Sequence, residues 1–166
     1  NDTINVSDTT NSASDVMNGG DGTTDTIHIL ATTDFADTDG NITNVELFTI
    51  AGGVVNLDIT GQSEAFGITG GAGANAIIGG SGIDTIDGGD GADVIKGMAG
   101  GDVMTGGTGA DADTFTYTAN GQTVTPAFGA AVTTTVGMDI ITIVADTDDD
   151  KIDLAAVIGV TLADEF

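Results

Sequence analysis

A nine-residue repeat dominates the middle of the chain. From residue 70 the sequence reads GGAGANAII, GGSGIDTID, GGDGADVIK, GMAGGDVMT and GGTGADADT, with starts at 70, 79, 88, 97 and 106. The fourth position is Gly in all five units (Gly73, Gly82, Gly91, Gly100, Gly109). The sixth is Asn75, Asp84, Asp93, Asp102 and Asp111, and the eighth is Ile77, Ile86, Ile95 and Met104 before the pattern breaks at Asp113. A period this short excludes helical hairpins and hairpin-built sandwiches, because neither supersecondary unit fits in nine residues. Gly-Gly-x-Gly makes a tight turn that accepts positive φ and close backbone approach. The triplet after it reads as a strand with one apolar residue pointing inward. Such units coil, two per circuit, with parallel strands stacked between circuits. The inward residues Ile77, Ile86, Ile95 and Met104 form a core too thin to hold the coils by itself.

The charge supplies the missing term. The chain carries 26 acidic and 2 basic residues, a formal net charge of −24, and 23 of the acids are Asp. An acidic, aromatic-poor chain resists compaction by self-repulsion, yet 40% of these residues are hydrophobic. A bound cation reconciles the two properties. Each turn offers a carboxylate at position six and carbonyl oxygens around flexible glycines, a donor set suited to Ca2+ rather than to Mg2+ or Zn2+.

In a two-unit coil the turn of one unit lies over that of the next but one. Asp84 is therefore expected to share an ion with the loop of Asp102, and Asp93 with the loop of Asp111 or Asp113. Asn75 offers a neutral oxygen opposite Asp93. The carbonyls of Gly71, Gly73, Gly80, Gly82, Gly89, Gly91, Met98, Gly100, Gly107 and Gly109 are the remaining natural ligands. Two extra residues in the fifth unit leave the choice between Asp111 and Asp113 open.

These residues resemble the calcium-binding nonapeptide Gly-Gly-x-Gly-x-Asp-x-U-x of repeats-in-toxin (RTX) proteins. The resemblance implies an all-β fold, a right-handed parallel β-roll or β-solenoid with short strands, Gly-Asp turns and a C-terminal cap. It also implies type I export, followed by folding outside the cell on several Ca2+ ions. The repeats occupy 70–117. Residues 118–166 hold a loop over 120–137 and the segments Asp139-Ile140-Ile141-Thr142-Ile143 and Asp150-Lys151-Ile152-Asp153-Leu154, which resemble the cap that precedes the secretion signal in many RTX proteins.

Residues 1–69 read as an irregular solenoid-like segment, with strands expected over 2–6, 26–30, 45–50, 54–59 and 65–69. Around Gly19-Gly20-Asp21-Gly22 the repeat is degenerate with one insertion, and Asp21 and Asp25 are candidate ligands for a further Ca2+. The order of these segments is similar to the C-terminal portion of RTX-type bacterial surface-layer proteins. That likeness implies a secreted, cell-surface structural module that self-associates into a lattice or filament, with any polysaccharide anchor in regions outside this sequence. The alternative is a Ca2+-dependent folding and export module of a secreted RTX enzyme or adhesin.

Other chemistry finds little footing. Two cations cannot neutralise a nucleic-acid backbone or an anionic membrane surface, and no apolar run reaches the length of a membrane span. The absence of Cys removes disulfides and thiolate sites. Without Met at position 1 the sequence is expected to be a piece of a longer chain. Asp37-Thr38-Asp39-Gly40 with Glu46, and Asp146-Thr147-Asp148-Asp149-Asp150, fail as EF-hands: Phe35 stands at the first ligand position of one and Lys151 at the glycine position of the other. His28 alternates outward in a strand, and Asp87 and Asp90 read as solvated turn residues rather than a glycosidase pair. The chain is not expected to be an enzyme.

Overall fold

The computed structural model describes residues 1–7, 16–31, 33–34, 41–108, 111–118, 123–127, 138–142 and 151–156. Among them there is no helix, and every strand pair runs parallel. Strands of two to six residues, joined by glycine turns, cannot fold back as hairpins and instead stack coil upon coil into a β-solenoid.

An eight-stranded sheet takes, in spatial order, Thr3–Val6, Thr26–Ile29, Leu47–Ile50, Gly67–Thr69, Thr85–Asp87, Val103–Thr105, Met138–Thr142 and Thr123–Ala127. A six-stranded sheet takes Thr33–Asp34, Leu57–Asp58, Ala76–Ile78, Val94–Lys96, Thr114–Thr118 and Lys151–Ala156. A two-stranded pair, Met17–Asn18 with Ile42–Thr43, belongs to the wider N-terminal coils. Consecutive nonapeptides alternate between the two large sheets, so one circuit consumes two units, as the repeat predicts.

The core is a pair of ladders between those sheets. Ile27, Phe48, Ile68, Ile86 and Met104 lie in register in one, and Leu57, Ile77, Ile95 and Phe115 in the other. All nine are at most 1% exposed. Only the middle residue of a three-residue strand faces inward, which is why the repeat holds one apolar position per unit. The four residues expected from the repeat are thus the centre of longer ladders. Phe48 and Phe66 thicken the core with an edge-to-face contact, ring centroids 5.1 Å apart.

Coils sit close enough to exclude side chains at the turns. A Cβ on Gly107 would overlap the Gly89 carbonyl, and Gly107 also has a φ of +120°. Met98 occupies a glycine position of the repeat and takes the same left-handed backbone, at φ 74°.

The C-terminal segment differs from the sequence expectation in one respect. Residues 120–137 read as a loop, but Thr123–Ala127 is a strand on the outer edge of the larger sheet, pairing with Met138–Thr142. An edge tolerates Pro126, because the ring's missing N–H faces no further strand. Met138–Thr142 pairs with Val103–Thr105, and Lys151–Ala156 with Thr114–Thr118, so the expected capping segments continue both sheets.

Candidate metal centre

In the first four units the position-six side chain stands one residue before its strand, so the parallel register stacks these side chains in two columns. Along the larger sheet the column runs Asp2, Asp25, Glu46, Phe66, Asp84, Asp102. Along the smaller it runs Val55, Asn75, Asp93, Asp113. Within the repeats the carboxylates reach backward by one coil. Asp84 Oδ1 accepts from Phe66 N at 2.9 Å and Asp102 Oδ1 from Asp84 N at 2.9 Å, each over 18 residues. Asp93 Oδ1 accepts from Asn75 N at 2.7 Å over 18 residues, and Asp113 Oδ1 from Asp93 N at 2.8 Å over 20.

The last spacing shows which acid of the fifth unit enters the column. Asp113 is buried and bonded to Asp93, whereas Asp111 is exposed on the turn. Asp111 and Ala112 are both exposed, while the strand pairing of Val94 with Thr114 holds the register.

The other carboxylate oxygens point beneath the glycine turns. A Cβ on Gly88 would stand 2.5 Å from Asp93 Oδ2, and one on Gly79 would stand 2.7 Å from Asp84 Oδ2. Asp84 Oδ2 accepts from Gly80 N at 3.0 Å. Asp93 Oδ2 is buried with no hydrogen-bond partner. Burial pushes the Asp93 carboxyl up from 3.8 to about 7, the Asn75 amide opposes that rise, and Asp113, Asp111 and Asp87 add to it. The Asp84 carboxyl is also raised, by burial, against the amides of Phe66 and Gly80. A buried carboxylate oxygen without a donor is costly unless a cation meets it.

The remaining candidates are distributed around these columns. Gly71 O accepts from Asp90 N at 3.1 Å and Gly89 O from Thr108 N at 3.2 Å, so these carbonyls already link adjacent turns. Gly73 lies under Gly91, and Gly82 under Gly100, at the same inter-coil contacts. Gly80, Met98 and Gly107 sit in the turns, and Gly109 lies outside the described residues. The Asn75 side chain donates to the carbonyls of Val55 at 2.7 Å and Gly53 at 3.1 Å, while its Oδ1 accepts from Gly71 N at 3.0 Å. It straps its own turn to the preceding coil. Asp25 is 1% exposed in the long column, and Asp21 is exposed on the turn before it.

Sequence reasoning missed Asp2 and Glu46 as members of the long column and Phe66 as its interruption. Counting back one residue from the observed strand starts Thr3, Leu47 and Gly67 finds all three, whereas the expected starts at 2, 45 and 65 lie one or two residues too early.

Among the described residues no cluster of three or more His, Cys, Asp or Glu side chains could hold a metal. An ion here must therefore combine at most two carboxylates with main-chain carbonyls. That all-oxygen, loosely arranged set fits Ca2+. The orphaned Asp93 Oδ2 and the glycine cradle over it are the observations that support the fit.

The other titratable groups weighed in the sequence make local contacts among the described residues. His28 is half-buried on its strand, with Nδ1 2.8 Å from Thr49 Oγ1. Asp87 Oδ1 accepts from Gly89 N, and Asp90 Oδ1 accepts from Thr108 Oγ1. Residues 37–40 and 146–150, the two rejected EF-hand candidates, lie outside the described residues.

The family model "RTX calcium-binding nonapeptide repeat (4 copies)" matches residues 68–86 and 78–112. No curated protein and no solved structure is significantly similar to the chain. The family match falls on the stretch where column, turn and core ladder are most regular. Residues 68–112 are therefore similar to the RTX calcium-binding nonapeptide repeat, and the match covers only this part of the chain.

Proposed function

We propose that the chain is an extracellular structural module of a type I-secreted surface-layer or related cell-surface assembly protein, folding and assembling on Ca2+. The observation that carries this reading is the buried carboxylate column of a chain with net charge −24. Asp84 with Asp102, and Asp93 with Asp113, are the carboxylate pairs assigned to the ions, together with carbonyls of the glycine turns. When bound, calcium would supply the positive charge that these buried carboxylates lack. The chain's own residues do the rest: Oδ1 of each Asp holds the amide of the preceding coil, and Oδ2 is kept beneath the turn, away from water. Because those carboxylates repel one another when bare, binding free energy becomes folding free energy. Export unfolded and folding outside the cell are what the RTX resemblance implies, and the linkage is consistent with them.

The assembly role rests on the segment order that resembles RTX surface-layer proteins and on apolar side chains left on the outside. Ile83 is 59% exposed, Val94 46% and Val103 38%. No helix among the described residues is long and apolar enough to cross a membrane. Calcium titration followed by light scattering and electron microscopy tests the assembly role: ordered sheets or filaments appear above the folding midpoint. A chain that folds on calcium and stays monomeric at high concentration would instead be the folding and export module of a secreted enzyme or adhesin.

A further inference from the structure

We propose a second, independently loaded divalent-cation site in the N-terminal coils, outside the family match. It is centred on Asp25 and completed by Glu46 and main-chain oxygens of loop 19–22. The proposal deepens the calcium reading above and rests on it.

Asp25 is 1% exposed, and its Oδ2 is buried with no hydrogen-bond partner. That oxygen points under the glycine loop, where a Cβ on Gly22 would stand 2.7 Å from it. Oδ1 accepts from Asp2 N at 2.6 Å, over 23 residues. One coil further on, Glu46 Oε2 accepts from Asp25 N at 2.7 Å, over 21 residues. This is the linkage of Asp84 with Asp102 and of Asp93 with Asp113, rebuilt in coils three to five residues longer than the 18-residue circuit. A glutamate carries one more methylene and reaches from an exposed position to the same amide. The loop accommodates the pair through Gly20, at φ +89°, and through Gly19, whose Cα abuts the Asn44 carbonyl. A buried, unshared carboxylate oxygen beside a second carboxylate and flexible carbonyls is a donor set for a hard divalent cation.

Independence follows from Phe66. Between Glu46 and Asp84 the column position is held by this residue, 3% exposed and packed on Phe48 at 5.1 Å. An apolar ring cannot bridge ions, so the carboxylates divide into Asp2, Asp25 and Glu46 on one side and Asp84 and Asp102 on the other.

The test is bound calcium per chain, measured by equilibrium dialysis with elemental analysis, on the wild type, Asp25→Asn, Glu46→Gln and Asp93→Asn. Circular dichroism in saturating Ca2+ checks folding of each. Asp25→Asn and Glu46→Gln are each expected to lose one ion and to leave the calcium midpoint of the remaining ions within about twofold. Asp93→Asn is expected to lose array ions and keep this one. If Asp25→Asn does not fold, Glu46→Gln, altered at an exposed side chain, decides. Wild-type stoichiometry in the folded variants overturns the proposed site while leaving the array intact. Loss of all ions from Asp25→Asn or Glu46→Gln overturns independence. A wild type that binds no calcium overturns the calcium reading itself.

Discussion

Replacing Asp93 by Asn should stabilise the metal-free protein and destabilise the calcium-bound one. The amide oxygen of Asn still accepts the Asn75 N–H, so the 2.7 Å inter-coil bond has a partner in the variant. What disappears is the charge. Raising the carboxyl from 3.8 to about 7 corresponds at pH 8 to a cost on the order of 4 kcal/mol, reduced by solvent screening to on the order of 2. Without metal, Asp93→Asn is therefore more stable than the wild type by roughly 2 kcal/mol. With Ca2+ at about a thousand times its dissociation constant, one lost site forfeits about 4 kcal/mol of linkage. The variant is then the less stable protein, by roughly 2 kcal/mol. Far-UV circular dichroism reads both sides: urea titration with calcium, and titration with a stabilising osmolyte in chelator. Equal destabilisation in the two conditions would refute the reasoning, because it would make Asp93 a packing residue and nothing more.

Other expectations follow from the same geometry. Metal-free protein should lose β structure as pH rises from 4 to 8. The folded Asp93 and Asp84 carboxyls hold protons that the unfolded chain releases, so that stability is present below 3.8 and declines as pH rises through about 7. Calcium affinity should move the opposite way, weakening below pH 7 as protons compete for Asp93; circular dichroism and calcium titration at pH 5, 6, 7 and 8 measure both. Gly70→Ala should cost more than about 2 kcal/mol in urea titration, because its Cβ overlaps the Gly88 carbonyl of the next coil, whereas Gly52→Ala, with open space around it, should change stability by less than about 0.5. Met98→Gly should stabilise the calcium-bound form by about 1 kcal/mol through relief of a left-handed backbone at φ 74°, read as a higher urea midpoint.

How much of this was legible depends on which force sets each feature. The period of nine follows directly from local chemistry: two glycines permit the turn, one apolar residue faces in, and one acid stands before the strand. Residues 70–108 could therefore be placed on turns, strands and core from their order alone. The fifth unit could not, because Asp111 and Asp113 are chemically alike and differ only in which one the Val94–Thr114 pairing draws inward. The N-terminal coils were also opaque as a periodicity. Their column contacts span 23 and 21 residues rather than 18, since loops absorb insertions while inter-strand hydrogen bonds keep the strands aligned.

The amino-acid order alone determined a parallel coil built from glycine turns, with calcium as the cation suited to its oxygens, since both are properties of single units and their spacing. Only the tertiary structure decided the vertical neighbours: Glu46 over Asp25, Phe66 between the two groups of acids, Asn75 strapped to Gly53 and Val55. Contacts between coils depend on the register of hydrogen-bonded strands some twenty residues apart, and no local pattern encodes a register that loops of unequal length are free to shift.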